Sequence, residues 1–209
     1  MPEPQREITA TRIALLDLRD EQQLVREGYE LLDEKRILLA GEIQRQLAQL
    51  LALRRTCAKL AEDLRARTLA AVGRHGLDEL TLYPPLTLAA DRVTMRRSRL
   101  FGLQLLIARL QPSERAASRP EQPANPTPEA RACAEAHRQW LAPAVELAAC
   151  SVNLRRLVRE YVRTERRARA IENVLMPEIE SALKTIGDQL ESMDQEEIAR
   201  LRQRRGDSH

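Results

Sequence analysis

Aromatic residues are scarce in this chain of 209 residues, which has one Phe, one Trp and three Tyr, or 2% of the sequence. Compact globular cores draw much of their buried area from aromatic side chains, so this composition disfavours a conventional globule. Charged residues make up 31% and apolar residues 43% of the chain. High charge with abundant leucine and alanine is typical of long helices that pack along a narrow apolar seam.

Long apolar runs are also missing, and none approaches the roughly 18 residues that span a bilayer. The opening segment MPEPQREITATR is polar and lacks the apolar stretch of a signal peptide. We therefore expect a cytoplasmic protein without direct membrane insertion. The three cysteines, Cys57, Cys133 and Cys150, show no CxxC spacing, which indicates reduced thiols rather than a disulfide framework or a metal site.

Motifs of catalysis and cofactor binding are absent from the sequence. It contains no GxxxxGK[ST], GxGxxG, HExxH or GxSxG pattern. The histidines, His75, His137 and His209, are isolated and are interpreted as surface or turn residues. The sequence thus predicts no catalytic residue, no cofactor and no metal, and a chain that is not itself an enzyme.

The balance of charge does not favour a nucleic-acid partner, because 34 basic residues are interleaved with 31 acidic ones for a net charge of +3. One segment, RRLVREYVRTERRAR at residues 155–169, is locally rich in arginine. It is compatible with a nucleic-acid patch, a solvated helix face or a contact with an acidic protein partner. Tyr161 is its one stacking aromatic, and Glu160 and Glu165 interrupt its positive charge.

Three regions are distinguished along the chain: an N-terminal coiled-coil helix at residues 1–72, a middle insert at 73–127 and a C-terminal coiled-coil helix at 128–209. In the first region apolar residues recur at gaps of three and four from Leu15 to Ile43, which is the heptad pattern. The pattern predicts a register slip of one residue at Leu47. Gly73 and Gly76 are predicted to end this helix.

The third region begins with Thr127 as a predicted N-cap and Pro128 at the first helical position. Helical periodicity continues to about Arg202, with a kink or break expected at Pro143. The predicted seam includes Leu154 and Val158. Ion pairs four residues apart are expected on the outer faces, at Asp63–Arg67, Glu165–Arg169, Glu180–Lys184 and Glu196–Arg200.

The middle insert differs in composition from both ends. Pro84 and Pro85 cannot continue a helix. The stretches LTLAADRVTM and RLFGLQLLIARL indicate a short β-hairpin, although a helix over residues 100–110 is compatible with the same apolar run. Residues 111–128 hold five prolines, and most of that stretch is predicted to be an extended loop.

The resulting fold class is mainly α. Two long amphipathic helices, one from each end, pair as an antiparallel two-stranded coiled coil around the insert, because each has an apolar stripe to bury. Arg36 is predicted to meet Glu172 across the seam. Pro177 lies inside the C-terminal helix, where it removes a hydrogen bond and is expected to bend the axis.

Both ends of the chain resemble the D subunit of the V-type and A-type rotary ATPases. The N-terminal match is TRIALLDLRDEQQLVREGYELLDEKRILL, which starts at Thr11 and includes Gly28 and the Lys35-Arg36 pair. The C-terminal match is RRARAIENVLMPEIESALKTIGDQLESMDQEEIARLR, with the Arg166-Arg167 pair and a hydrophobic run ending at Pro177. Departures from the family pattern are Ile37, Asn173 and the proline-rich loop of the insert.

This resemblance implies a central-stalk rotor subunit that couples ATP hydrolysis or synthesis to proton or sodium transport. Its implied partners are a hexamer of A and B subunits, the small F subunit of the stalk, and the C/d-type funnel on the membrane ring. The chain would be peripheral to the membrane, with catalysis in its partners. Our candidate torque contacts are Arg163, Arg166, Arg167, Arg169 and Pro177. The alternative hypothesis is a coiled-coil stalk or escort protein of a type III secretion or flagellar export ATPase.

Overall fold

A computed structural model describes residues 11–81, 92–111 and 127–206. Helix α1 spans Arg12–Thr81, strands β1 and β2 span Arg92–Leu100 and Leu103–Gln111, and helix α2 spans Pro128–Ala170. A π-helical turn at Ile171–Leu175 leads directly into helix α3 at Met176–Gly206. Pro84, Pro85 and the proline-rich segment 112–126 lie outside the described residues. The mainly α fold class with a small middle sheet is confirmed.

The contacts group the chain into two compact units. The first unit contains Met1–Leu38 and Tyr161–His209, and the second contains Leu39–Glu160. The division of the sequence at residues 72 and 127 stays a prediction.

In the first unit the start of α1 pairs antiparallel with the C-terminal helices. Arg12 contacts Asp194 at 3.3 Å, and Arg36 contacts Glu165 at 3.0 Å, so the number of the facing residue falls as the α1 number rises. The buried seam is formed by residues such as Leu18, Ala168 and Ile186. Thr11 caps α1, because its hydroxyl accepts from the Ala14 N–H at 3.1 Å.

The second unit shows the same antiparallel pairing and the same kind of cap. Gln46 contacts Cys150, and Thr68 lies 3.5 Å from the sulfur of Cys133. The predicted cap at Thr127 is confirmed, since its hydroxyl accepts from the Ala130 N–H at 3.4 Å and α2 begins at the next residue.

The prediction that Gly73 and Gly76 end the first helix is confirmed at Gly76, where the helical conformation breaks, and is wrong at Gly73, which the helix passes. Ala71 is fully buried and His75 nearly so, and this packing anchors the helix on both sides of a glycine that by itself weakens it. Only Gly76 leaves the helical conformation, with φ 72° and ψ 166°, a region that glycine enters without steric cost. His75 is a buried residue whose Nε2 lies 2.5 Å from the Thr127 hydroxyl.

A break at Pro143 is excluded, because α2 is one helix through that residue, whereas the kink expected there stays a prediction. Three of the four expected ion pairs form, at Asp63–Arg67, Glu165–Arg169 and Glu196–Arg200. Glu180 and Lys184 are both exposed and form no ion pair with each other. The C-terminal seam passes through Leu157, which is fully buried, whereas Val158 is 42% exposed.

The middle of the chain contains the β-hairpin that the sequence indicated, and the helical reading of residues 100–110 is excluded. The strands pair antiparallel in register from Arg92 opposite Gln111 to Leu100 opposite Leu103. Phe101 and Gly102 connect them with φ of 48° and 82°. Positive φ at both central residues is the requirement of a type I′ turn, whose twist matches that of paired strands.

Candidate functional site

The first unit contains a network of charged side chains in its helical seam, formed by Asp33, Arg36, Glu165 and Arg169. Arg36 donates to Glu165 Oε2 at 3.0 Å and to Asp33 Oδ1 at 2.5 Å. Arg169 donates to the other Glu165 oxygen at 2.9 Å. Glu165 is central, because each of its two carboxylate oxygens receives one arginine.

Both central members of this network are largely removed from water, with exposed side-chain fractions of 33% for Arg36 and 20% for Glu165. The hydrogen bond from Arg36, supported by Arg169, lowers the pKa of the Glu165 carboxyl. The same bond raises the pKa of Arg36. The pair therefore stays ionised and fixes the register of the two helices.

The predicted partner of Arg36, Glu172, was wrong by seven residues, which is one heptad. Glu172 is exposed within the π-helical turn, whereas Glu165 is positioned on a regular turn of α2. Depth along two helices does not distinguish positions one heptad apart, because both occupy the same place in the repeat.

The arginine candidates of the first unit fall into two groups. Arg166 lies on the face of α2 opposite the buried Thr164 and Ala168, and Arg163 and Arg167 lie on the same side of it toward one flank, given a rotation of about 100° per residue; all three are exposed. Arg169 lies on the flank of the helix, where it is bound to Glu165. The outer three are thus grouped on one surface, and Arg169 belongs to the seam network.

Pro177, the fifth candidate, follows the π-helical turn by one residue and is exposed. The Met176 N–H donates to the carbonyl of Ile171, five residues back. In a regular α-helix residue 177 would donate to the carbonyl of Asn173, but proline has no N–H and its ring clashes with that group. A π-helical turn directly before this proline changes the winding where a regular α-helix would bring the proline ring against that carbonyl.

The extra residue of this turn also keeps the apolar seam in phase. From Ala168, Ile171 and Leu175, an uninterrupted heptad would next bring Glu178 to the seam. Instead Ile179 is buried and Glu178 is exposed. The π-helical turn therefore shifts the following residues by one position.

In the second unit the predicted register slip at Leu47 was wrong. Gln46 is buried, while Leu47 is 43% exposed, and the heptad continues through Cys57. Burial of this polar residue is possible because its amide donates to Glu42 Oε1 at 3.0 Å and its Oε1 accepts from the Cys150 thiol at 3.3 Å. Burial raises the pKa of that thiol.

The hairpin is fastened to α2 by a residue that sequence reasoning missed. Asn153 is buried; its Nδ2 donates to the Leu106 carbonyl, and its Oδ1 accepts from the Leu106 N–H, each at 2.7 Å. Arg156 donates to the Gln104 carbonyl at 2.7 Å. The signal available in the sequence was an asparagine between apolar seam positions. Part of the arginine-rich segment thus has a structural role.

Neither a cluster of metal ligands nor a membrane-spanning helix is present in the described ranges. No three potential metal ligands from residues 11–81, 92–111 and 127–206 come together. No helix in that part of the chain carries an apolar stretch long enough to cross a bilayer.

Comparison with known proteins gives a consistent result. Residues 14–205 match the family model that describes the D subunit of ATP synthase. The V-type ATP synthase D subunit of Anaeromyxobacter dehalogenans (strain 2CP-C) is 31% identical over 198 residues, covering 92% of each chain. The A-type ATP synthase D subunits of Pyrococcus abyssi and Thermococcus gammatolerans are each 29% identical, over 93% of this chain and 92% of theirs.

Proposed function

Since this chain belongs to the family of ATP synthase D subunits, we propose that it is the central-stalk rotor subunit of a V/A-type rotary ATPase. In this role it couples nucleotide chemistry in a hexamer of A and B subunits to proton or sodium transport through a membrane ring. The chain contributes no catalytic group, and ATP is made or hydrolysed in its partners. The observation that carries the proposal is the family match over residues 14–205.

The remaining partners in this proposal are the small F subunit of the stalk and the C/d-type funnel on the ring. The protein is then cytoplasmic and peripheral to the membrane as a part of the complex. The export-ATPase stalk considered from the sequence has no observation in its favour, because the relatives named above are all D subunits of ATP synthases.

A rotor acts on its ring by stabilising different conformations of similar catalytic sites at different angles. It can shift each equilibrium only by the difference in its contact energy with the two states, and about 1.4 kcal/mol changes a population tenfold. Arg163, Arg166 and Arg167 form an exposed cationic surface that can supply such contacts, because charge-assisted hydrogen bonds to carboxylates are strong and directional.

Reconstitution tests the proposed role directly. The full chain, co-expressed with A, B and F subunits from the same source, should co-purify as a complex with one copy of this chain. Omitting the chain should abolish ATP-driven rotation of a bead attached to the F subunit. Formation of a rotating complex without the chain, or its failure to co-purify with the A and B subunits, would refute the proposal.

The arginine surface is tested by reversing its charge. The double variant Arg166→Glu/Arg167→Glu should slow ATP-driven rotation by roughly tenfold if its lost contacts are worth about 1.4 kcal/mol, while the complex still assembles. A matched control is Arg54→Glu/Arg55→Glu, which makes the same charge change at two exposed positions of α1. Equal rotation rates in the two variants would remove this surface from the mechanism.

The π-helical turn is tested through Pro177. Restoring the N–H in Pro177→Ala permits regular α-helix, and we expect weaker coupling of ATP hydrolysis to ion pumping with little change in unfolding temperature. Pro143→Ala is the matched control, since α2 passes that proline without a change of winding. Unchanged rotation and pumping in Pro177→Ala would discard the coupling role of this turn.

A further inference from the structure

The two edges of the β-hairpin differ in how their backbone groups are satisfied. On the β2 edge, Asn153 binds both the N–H and the carbonyl of Leu106, and Arg156 binds the carbonyl of Gln104. These bonds show that Gln104 and Leu106 direct their backbone groups away from β1. The β2 edge is therefore closed by side chains of α2.

The β1 edge is open in the part of the chain that the structure describes. Arg99 lies opposite Gln104 and Arg97 opposite Leu106. In an antiparallel ladder the two residues of a non-hydrogen-bonded pair both direct their backbone N–H and carbonyl groups away from each other's strand. Because Gln104 and Leu106 face away from β1, Arg99 and Arg97 face away from β2. By alternation Val93 and Met95 do the same. No backbone hydrogen bond from another described segment reaches these groups, so they form a row of available donors and acceptors.

The side chains around this edge carry one sign of charge. Arg96, Arg97 and Arg99 are exposed on β1, Arg109 is exposed on β2, and neither strand contains an aspartate or glutamate. No described acidic residue forms an ion pair with these four arginines. Two apolar side chains of β1, Val93 and Met95, are 44% and 69% exposed beside them.

We propose that β1 binds an extended acidic segment of another protein, which adds to the hairpin as a third strand. Backbone hydrogen bonds along the open edge supply affinity, and the arginines select glutamate or aspartate at alternate positions. This proposal goes beyond the rotor function and does not depend on it.

Other occupants fit the edge less well. A second copy of β1 would bring arginines opposite or diagonal to arginines, which opposes pairing. The chain's own segments 82–91 and 112–126 contain two and four prolines and few acidic residues, so neither matches an acidic strand. A nucleic acid would be attracted by the positive charge, but it has no peptide backbone to pair with the row of N–H and carbonyl groups on β1.

A peptide titration of the full-length protein tests the proposal. The probe is a fluorescein-labelled nine-residue peptide that alternates glutamate with threonine, followed by fluorescence anisotropy. Two matched probes have lysine in place of glutamate, or N-methyl groups on alternate backbone amides, which block strand pairing. We expect both changes to weaken binding by at least about tenfold. Equal binding of the N-methylated probe, or no binding of the acidic one, overturns the proposal.

Variants of the protein locate the binding edge. Met95→Pro removes an outward N–H, which an edge strand tolerates, while Met95→Thr changes the side chain and keeps the N–H. We expect loss of binding only in the proline variant. Arg97→Glu/Arg99→Glu should also weaken binding at least about tenfold, and Arg54→Glu/Arg55→Glu should not. Full binding by Met95→Pro, or tighter binding of a nine-nucleotide single-stranded DNA than of the peptide, would refute strand addition.

Discussion

Asn153 holds the hairpin to α2 through two hydrogen bonds of 2.7 Å to one residue, Leu106, and this makes a quantitative prediction. Asn153→Ala removes both bonds. At a net value of about 1 kcal/mol for each bond, the attachment should weaken by about 2 kcal/mol. Local opening of the edge should then become about 30-fold more frequent, given 1.4 kcal/mol for each tenfold.

Amide hydrogen exchange measures that opening residue by residue. In Asn153→Ala we expect the Leu106 amide to exchange about 30-fold faster, as a loss of about 2 kcal/mol requires. Leu105 is an internal control, because it lies opposite Ser98 in the alternate register position and directs its N–H toward β1. If Leu106 exchange is unchanged, Asn153 does not hold the edge; if Leu105 accelerates equally, the variant has disrupted the whole hairpin.

The isosteric variant Asn153→Asp tests the donor half of the same contact. An ionised carboxylate still accepts from the Leu106 N–H but has no proton for the Leu106 carbonyl, so we expect destabilisation at pH 7. Burial and the facing carbonyl raise the pKa of the introduced carboxyl in the folded protein above its unfolded value of about 3.9. The deficit relative to the wild type should therefore shrink as pH falls through the folded pKa. A deficit that is constant with pH would refute this assignment of the hydrogen bonds.

Three further predictions concern the seam and the turn. Gln46→Leu should raise the free energy of unfolding by about 1 kcal/mol, because an apolar side chain replaces a buried amide, whereas Gln49→Leu at an exposed position should not. Glu165→Gln should lower the unfolding midpoint at pH 7; since the folded pKa of Glu165 is lowered, its contribution is fully present above the unfolded pKa of about 4.3 and is lost as pH falls through the folded pKa. Phe101→Asn should stabilise the hairpin by about 0.5–1 kcal/mol, because asparagine tolerates positive φ better than phenylalanine.

Thermal and urea unfolding of the same preparations check all three predictions. Glu172→Gln is the control for Glu165→Gln, since it removes one exposed carboxylate from the same helical region and should leave the midpoint unchanged. A lower stability of Gln46→Leu, a Glu165→Gln deficit that does not shrink as pH falls below about 4.3, or no gain in Phe101→Asn would each contradict the corresponding argument.

The sequence predicted the large features of the fold because these depend on periodicity and caps. Heptad spacing gave two long helices that pair antiparallel, and Thr127 with Pro128 marked the start of α2. Paired β-propensity around a turn gave the hairpin. Each of these signals is local in the chain, so it can be read without knowledge of the partner segment.

The errors arose where a distant contact decides the outcome. The slip was predicted at Leu47 because Gln46, the next position of the heptad, is polar, and its bonds to Glu42 and Cys150 explain its burial. Asn153 and Arg156 are polar residues on a helix, and their roles depend on an edge strand about 50 residues away. Arg36 was matched with the wrong glutamate because heptad positions repeat. The arginine surface and the coupling role of Pro177 stay predictions.

The π-helical turn at Ile171–Leu175 has a consequence for how chains of this family compare in length. Because its one surplus residue sets the phase of everything from Met176 onward, a relative that lacks the proline can delete a single residue here and keep its isoleucines directed toward α1. A difference of one residue in length at this turn, and not elsewhere in the helices, therefore leaves the buried apolar seam in the same phase.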